Sequence, residues 1–443
     1  MIGKIKNKNI VLINILFFFS ITALFLKFFI LDNFYPLHDE LVIVERNTEW
    51  QNFLWRNYTS NHTLNSFLAV ITKNVIGYNI LYYRFFSFLS FVGILLLCKK
   101  LYPNILIFGL LFLFILTSNV LTNYIWIFRG YYIWGFLTIL TFYLLKSFHK
   151  NSLDNRNFKL LMLVNLLLCC HALFVLYTVI PILTYLFFII LQKKDKEKFL
   201  IFLFWFVCPV IIFYFLIIIL EGFTIVFRDN LNFQFLLQNL LLVIQKSFFP
   251  GINEIFFNPH LAQYTPDKNI FISVFKKLVD PPYNMQPEYT FLFIYFLSFF
   301  ILISKFIFKK YNYLDIIFIV MIFFFYLIDK NPEPRQHIGI IFYLIMYILD
   351  FSFDFINKIK KKQIFDYFIF GISLLLIFKT NVNENFYDTK TSIDKIKPIY
   401  NTKQCSDLNK ILNDYEIWVV KNAHIFKCKS YYNFELQKNI LMN

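Results

Sequence analysis

The chain alternates long runs of apolar residues with short clusters of lysine and arginine. About 20 apolar residues are needed for a helix to cross the hydrocarbon core of a bilayer, and most of the runs approach this length. Loops on the cytoplasmic side of polytopic membrane proteins are enriched in basic residues near the membrane. The clusters therefore predict the orientation of the chain, and they consist of Lys4, Lys6 and Lys8; Lys99 and Lys100; Lys146, Lys150, Arg156 and Lys159; Lys193, Lys194, Lys196 and Lys198; Lys305, Lys309 and Lys310; and Lys358, Lys360, Lys361 and Lys362.

Composition excludes a soluble globular fold. Hydrophobic residues make up 58% of the chain and charged residues only 16%, whereas a soluble chain carries about 25% charged residues. The 62 phenylalanines exceed what a soluble core of this length can bury. The net charge of +16 lies at the ends of apolar runs, which indicates membrane topology and no nucleic-acid partner. The six cysteines include no C-x-x-C pair, so a zinc ribbon and a thioredoxin-type motif are excluded.

We predict an all-α polytopic membrane protein with about eleven transmembrane helices. The long apolar run 160–192 is divided near Tyr177, because Pro181 lies just beyond it and the chain must return to Lys193. With this count the basic clusters share one side, so the N-terminus is cytoplasmic and the C-terminus is outside. The predicted spans are 10–31, 79–98, 104–122, 124–145, 160–176, 177–192, 199–220, 290–308, 313–328, 338–356 and 364–379.

The same count places three long segments on the outer side: 32–78, 221–289 and 380–443. We therefore expect a transmembrane domain over 1–379 and a small extracytoplasmic α+β domain over 380–443. In that tail Cys405 and Cys428 lie on the oxidising side, where a disulfide between them would stabilise a small domain. Amphipathic stretches in the outer loops predict interfacial helices that lie along the lipid headgroups.

The first outer loop carries two adjacent acids, Asp39 and Glu40, shortly after the first span. A carboxylate at this position can deprotonate a hydroxyl nucleophile or hold a divalent cation. The structural alternative is that Asp39 caps a short surface helix after Pro36. Further along the loop, His62 stands at the start of an apolar-periodic run that returns to the membrane.

Several cationic and imidazole side chains fall at the outer ends of predicted spans. A charge near the bilayer centre costs about 2.5–3.5 kcal/mol on insertion scales. Each of these side chains therefore requires a structural or functional explanation. Arginine binds phosphate through bidentate, charge-assisted hydrogen bonds. The alternatives are arginines that extend to the headgroups and a histidine that only fills the core. The residues in question are Arg84, Arg129, His171, Arg335 and His337.

The order of these pieces resembles the GT-C superfamily of integral-membrane glycosyltransferases, in particular the bacterial branch related to protein mannosyltransferases and aminoarabinose transferases. The similarity is best over about 35–145, is patchy after that and is absent in the tail. It rests on the acidic pair Asp39-Glu40, the NHTLN segment at 61–65, Arg84 in the second span, the IFRGYYIWGFLTILTFYLL segment at 127–145, CCHALFVLYTVIPIL at 169–183 and PRQHIGIIFYLI at 334–345.

The resemblance implies transfer of a sugar from a polyprenyl-phosphate carrier, with inversion at the anomeric carbon, to a lipid, glycan or protein acceptor outside the inner (plasma) membrane. It implies Asp39 as the base, with Glu40 as its partner or as the ligand of a divalent cation. Arg129, Arg335 and His337 would hold the phosphate, and His62, Arg84 and His171 would complete the substrate site. Two alternatives stay open: a flippase of lipid-linked glycans, and a polymerase or ligase that uses a diphosphate-linked donor.

Overall fold

The computed structural model describes most of the predicted membrane domain. The described residues are 2–31, 63–76, 80–150, 155–169, 176–194, 196–208, 211–212, 289–328, 337–356 and 363–380. Within these residues the secondary structure is helical, with no strand. The prediction of a helical protein is therefore confirmed for this part of the chain. The predicted α+β domain and the loop 221–288 lie outside the described residues.

The helices are separated by short turns or by segments outside the described residues. In chain order they are α1 (Ile2–Phe25, continued by a π-helical turn, Leu26–Leu31), α2 (Thr63–Val75), α3 (Ile80–Leu101), α4 (Ile105–Thr117), α5 (Asn119–Tyr124), α6 (Tyr131–Lys150), α7 (Asn155–Cys169), α8 (Leu176–Lys193), α9 (Lys196–Phe202, continued by a π-helical turn, Leu203–Val207), α10 (Tyr289–Ile307), α11 (Tyr313–Ile328), α12 (Ile338–Ile356) and α13 (Gln363–Lys379).

Each predicted span overlaps at least one helix of the described chain. Among the described residues three helices are long and apolar enough to cross a membrane: Ile10–Phe28, Thr290–Ile307 and Ile338–Ile356. Shorter apolar helices cover Ile105–Thr117, Pro181–Gln192 and Tyr313–Ile322. The long apolar helices support a membrane protein, as the composition predicts.

Two predicted spans differ from the observed helices near residues 118–130. The predicted span 104–122 divides at Ser118 into α4 and α5, and the Ser118 hydroxyl caps α5 by accepting a hydrogen bond from the Leu121 N–H at 3.1 Å. The predicted span 124–145 begins as a helix only at Tyr131. Gly130 has φ of 77°, a left-handed conformation that glycine adopts without steric cost and that a right-handed helix cannot contain.

The outer helices expose large apolar side chains. Phe18 on α1, Phe296 and Phe300 on α10 and Phe368 on α13 are each at least 60% exposed. Soluble monomers rarely present contiguous apolar surface of this kind. A bilayer accepts it at no cost, because lipid tails are as apolar as these side chains.

The centre of the bundle is α12, in which every residue from 338 to 349 is buried. α12 packs along α6 and α10. Close approach to α6 depends on two glycines: a Cβ at Gly339 would overlap the Trp134 ring, and a Cβ at Gly135 would overlap the Phe342 ring. Small residues at helix contacts let backbones approach closely in membrane bundles.

Ring contacts show that α3, α6 and α12 run in the same direction. Phe91, midway along α3, contacts Tyr132 in the first turn of α6, and Lys100 near the end of α3 lies over the ring of Tyr143, further along α6. Tyr132 contacts Phe342 early in α12, and Lys146 pairs with Asp350 later in it. These helices therefore begin towards the same end of the bundle.

Candidate functional site

The two ends of the bundle differ in chemistry. We call the end at which α3, α6, α10 and α12 begin the arginine end, after Arg84 and Arg129. The opposite end, where these helices finish, is called the lysine end, after Lys146 and Lys305. The predicted site residues that the structure describes, Arg84, Arg129 and His337, all belong to the arginine end.

Arg84 lies one turn into α3 and is buried, with 1% of its surface exposed. Its guanidinium carbon lies 4.5 Å from the centroid of the Trp126 ring. The Phe28 ring of α1 lies on the same tryptophan, with 6.3 Å between ring centroids. The guanidinium is therefore enclosed by side chains of the bundle and is not on its surface.

Trp126 is positioned by an irregular segment, 125–130, between α5 and α6. The Ser87 hydroxyl of α3 donates a hydrogen bond to the Ile127 carbonyl at 2.7 Å and fixes this segment to α3. The Arg129 N–H donates to the same Ile127 carbonyl at 3.0 Å. Arg129 therefore stands on a loop just before α6, whereas the predicted span 124–145 would place it inside a helix.

His337 occupies the corresponding position just before α12 and is fully buried. The Tyr295 hydroxyl of α10 lies 2.8 Å from its Nδ1 atom. The rings of these residues meet edge to face, with 5.9 Å between centroids. Because a tyrosine hydroxyl fixes Nδ1, the imidazole has one defined orientation in the bundle.

The contact between α6 and α12 sets the relative level of the segments that carry Arg129 and His337. Trp134 lies four residues after Gly130, and Gly339 lies two residues after His337. The Trp134 ring covers Gly339 closely enough to exclude a Cβ atom, and the Trp134 indole N–H donates to the Thr178 hydroxyl of α8 at 3.2 Å. Packing therefore places the loop before α6 and the start of α12 at the same level.

The lysine end contains ion pairs. Lys146 pairs with Asp350, which also accepts a hydrogen bond from the Tyr102 hydroxyl at 2.8 Å. Lys305 pairs with Asp315 at 3.0 Å, and Tyr347 donates to the same carboxylate. Burial, followed by the charge of Asp350, raises the pKa of Tyr102 well above its usual range. Tyr102 therefore stays protonated and continues to donate to Asp350.

These pairs change the interpretation of two lysines. The sequence pattern predicts that Lys146 and Lys305 only set the membrane topology. In the structure each of them also forms an ion pair with an aspartate of the bundle. Asp315 is only 2% exposed, and a buried acid paired with a lysine is stable mainly because each charge neutralises the other. The lysine end thus uses its described lysine–acid pairs to join helices, which leaves the arginine end as the candidate for function.

Helix α2 packs beside the arginine end, and the face that it buries is rich in polar side chains. Its buried residues include Thr63, Asn65, Ser66 and Thr72, whereas Phe67 is 37% exposed. The buried face of α2 therefore carries these four polar side chains besides Ala69 and Val70, while Phe67 and Val75 are exposed. This pattern suits a helix at a lipid surface that covers a polar site, and it agrees with the interfacial helix predicted after His62.

The other predicted site residues lie outside the described part of the chain: Asp39, Glu40, His62, His171 and Arg335. The described residues that flank the first loop nonetheless bracket the arginine end. Phe28, three residues before the last described residue of α1, contacts Trp126, and Thr63, directly after His62, is buried. Among the described residues no group of three or more His, Cys, Asp or Glu side chains could hold a metal.

Trp126 and Tyr295 are structural features of the site that the sequence does not single out. Tryptophan and tyrosine are common in this chain, which has 6 and 28 of them, so neither residue type is a signal by itself. Asn65 differs from them, because it belongs to the NHTLN segment at 61–65 and is buried in α2.

Comparison with protein-family models, with curated proteins and with solved structures finds no match to this chain. Fold similarity therefore contributes nothing to the functional assignment. A proposal about function must instead rest on the buried charges and aromatic side chains of the arginine end, together with the order of motifs in the sequence.

Proposed function

We propose that this chain is an integral-membrane glycosyltransferase that transfers a sugar from a polyprenyl-phosphate carrier to a hydroxyl group of a lipid, glycan or protein. In this proposal the chain crosses the plasma (inner) membrane eleven times, with its N-terminus in the cytoplasm. The arginine end then faces the extracytoplasmic side, together with the outer loops and the C-terminal residues 380–443.

The observation that carries the proposal is the buried Arg84 guanidinium against Trp126, at the same end of the bundle as Arg129 and His337. A lipid phosphate is an anion that lies at the membrane surface, so its charge complements this end of the bundle. Preorganised cations aimed at a developing negative charge are often the largest contribution to catalysis. A phosphate leaving group requires that contribution, because negative charge accumulates on it as the bond to the sugar breaks.

The proposed reaction is a single displacement. Asp39 accepts the proton of the acceptor hydroxyl, whose oxygen forms a bond to the anomeric carbon of the sugar. The bond between that carbon and the phosphate oxygen breaks, and the electron pair leaves with the polyprenyl phosphate. Attack from the side opposite the phosphate inverts the configuration. Arg84, Arg129, Arg335 and His337 stabilise the departing phosphate.

The test uses the purified full-length chain in proteoliposomes with a synthetic polyprenyl-phosphate hexose and a membrane extract as the source of acceptor. Release of polyprenyl phosphate is measured. We expect Asp39→Asn to lower the rate by about 10²–10⁴-fold, as for loss of a general base. The matched control is Asp354→Asn, an exposed carboxylate near the lysine end, which should retain wild-type activity. Full activity of Asp39→Asn would remove the assigned base.

The same proteoliposomes separate the alternative functions. Preference for a diphosphate-linked donor would identify a polymerase or ligase instead. Movement of a fluorescent lipid-linked sugar between leaflets without release of lipid phosphate would identify a flippase. The proposal predicts release from the monophosphate carrier and no dependence on leaflet exchange.

A further inference from the structure

The polar face of α2 contains groups whose hydrogen-bonding capacity is unused in the described part of the chain. Asn65 is fully buried, and neither its Oδ1 nor its Nδ2 atom has a hydrogen-bond partner there. The Thr63 hydroxyl, 6% exposed, is likewise without one. Burying an amide without partners destabilises a fold. Each such group in a native protein therefore calls for an explanation, and a ligand is one.

The position of Asn65 relates these groups to the arginine end. Residues four apart on a helix lie on one face, so Asn65 lies one turn from Ala69 on the same side of α2. Ala69 packs in a cluster with Tyr83 and Phe128. Tyr83 directly precedes Arg84, and Phe128 directly precedes Arg129. The amide therefore lies one helical turn from a cluster whose other two members are the chain neighbours of Arg84 and Arg129, and Thr63 lies at the start of the same helix.

The chemistry of these groups differs from that of the arginines. A carboxamide offers donors and an acceptor without charge, and a threonine hydroxyl offers one donor and two acceptor positions. A sugar hydroxyl also both donates and accepts, so neighbouring hydroxyls of a sugar ring match such a pair. A phosphate has acceptor oxygens only and gains most from guanidinium groups.

We propose that Asn65 and Thr63 bind hydroxyl groups of the sugar on the lipid-linked donor and so determine which sugar the protein accepts. This inference rests on the proposed glycosyltransferase function, and it assigns the sugar to the polar face of α2 and the phosphate to the arginines. In this arrangement α2 covers the site and also contacts the sugar of the donor.

The test compares two ligands, a polyprenyl-phosphate hexose and sugar-free polyprenyl phosphate, for binding to the full-length protein in nanodiscs. Asn65→Leu removes the amide at similar volume. We expect it to weaken binding of the sugar-bearing lipid by about threefold to tenfold for each neutral hydrogen bond lost. Binding of sugar-free polyprenyl phosphate should stay at the wild-type level. The matched control is Asn74→Leu on the exposed side of the same helix, which should change neither affinity.

The melting temperature gives a second, independent readout. If the Asn65 amide binds a ligand and does not stabilise the fold, Asn65→Leu should keep or raise the melting temperature of the ligand-free protein, because an unsatisfied polar group has been removed. Thr63→Val, which has nearly the same shape, provides a second variant should Asn65→Leu not fold. It should lose sugar-dependent affinity in the same direction.

The outcomes separate this inference from the proposed function. If wild-type protein binds both lipids and Asn65→Leu and Thr63→Val keep the preference for the sugar-bearing lipid, the sugar site is wrong and the glycosyltransferase proposal stands. If the wild-type protein binds both lipids equally, the sugar site is also wrong. If wild-type protein binds neither lipid, both proposals are wrong.

Discussion

Replacing Arg84 with glutamine removes one buried positive charge and keeps a side chain that can donate hydrogen bonds. The guanidinium lies 4.5 Å from the Trp126 ring centroid and is 1% exposed, so little solvent screens it. A hydrogen bond to a charged group contributes about 1.5–3 kcal/mol. Loss of one such bond to the departing phosphate therefore lowers kcat/KM by roughly 10- to 150-fold. Arg84→Lys keeps the charge but not the planar fork, and should fall between glutamine and wild type.

The assay is release of polyprenyl phosphate from a polyprenyl-phosphate hexose by purified protein in proteoliposomes. Arg156→Gln, an exposed arginine at the start of α7 near the lysine end, is the matched control and should retain wild-type kcat/KM. Melting temperatures of all variants report whether a loss of activity follows from unfolding. Wild-type kcat/KM in a folded Arg84→Gln protein would refute the reasoning, as would an equal loss in Arg156→Gln.

The contribution of Trp126 can be isolated with a double-mutant cycle on Arg84→Gln and Trp126→Leu. A desolvated cation–π contact contributes up to about 2 kcal/mol, so the coupling should reach up to roughly 30-fold in kcat/KM. Purely additive losses would mean that Trp126 does not position the guanidinium.

Three further predictions concern the packing that holds the two ends in place, each measured as thermal stability of purified protein in detergent. Gly339→Ala should destabilise the protein by about 1–3 kcal/mol, typical of overpacking, because its Cβ would overlap the Trp134 ring, whereas Gly371→Ala, with nothing within 4 Å of a Cβ, should be neutral. Equal effects of the two glycine variants would contradict the close contact between α6 and α12. Asp315→Ala should cost about 3–5 kcal/mol because it leaves Lys305 buried without its counter-charge, and the double variant Asp315→Leu, Lys305→Met should recover part of that loss. No recovery in the double variant would argue against the ion pair as the cause. Tyr102→Phe should cost about 1.5–3 kcal/mol by removing a hydrogen bond to a charged carboxylate. Since the pKa of Tyr102 is raised in the fold, its stabilising contribution is fully present below the unfolded value of about 10 and is lost only as pH rises through the folded value. The difference from wild type should therefore be constant between about pH 6 and pH 9, and a difference that shrinks in that window would contradict the assignment.

The positions of the helices follow largely from the sequence, because one physical rule sets them. A run of apolar residues closed by lysines folds most readily as a membrane helix, and most described helices from Ile80 to Lys379 begin and end close to the predicted limits. Helix α7 ends at Cys169, before the predicted limit of 176, and much of the predicted span 199–220 lies outside the described residues. The clearest departure is the region around Ser118 and Gly130. There the chain stays apolar although the backbone leaves the helix, so hydropathy alone gives no sign of the break. Gly130 is the one local clue, because a glycine before an aromatic run permits the positive φ that the structure has.

The candidate site follows from the sequence only in outline. Arg84, Arg129 and His337 stand out because charge and imidazole inside apolar runs are costly, and the helix directions bring them to one end. The partners of these residues could not be predicted: Trp126 over Arg84 and Tyr295 beside His337 come from elements 42 residues away in the chain in each case. The same holds for Lys146 with Asp350, whose pairing over 204 residues depends on the parallel packing of α6 and α12. Such contacts are properties of tertiary structure, and a single sequence carries no record of them.

The central claim is that the phosphate of a lipid-linked sugar binds at the arginine end. Photocrosslinking with a polyprenyl-phosphate analogue, whose photoreactive group lies next to the phosphate, locates it directly. After digestion and mass spectrometry of the full-length protein, we expect labelled peptides from the start of α3 and from residues 125–131, and excess unlabelled polyprenyl phosphate should compete for this labelling. Labelling concentrated around Lys305 and Asp315 at the lysine end, or labelling that polyprenyl phosphate does not reduce, would contradict the claim.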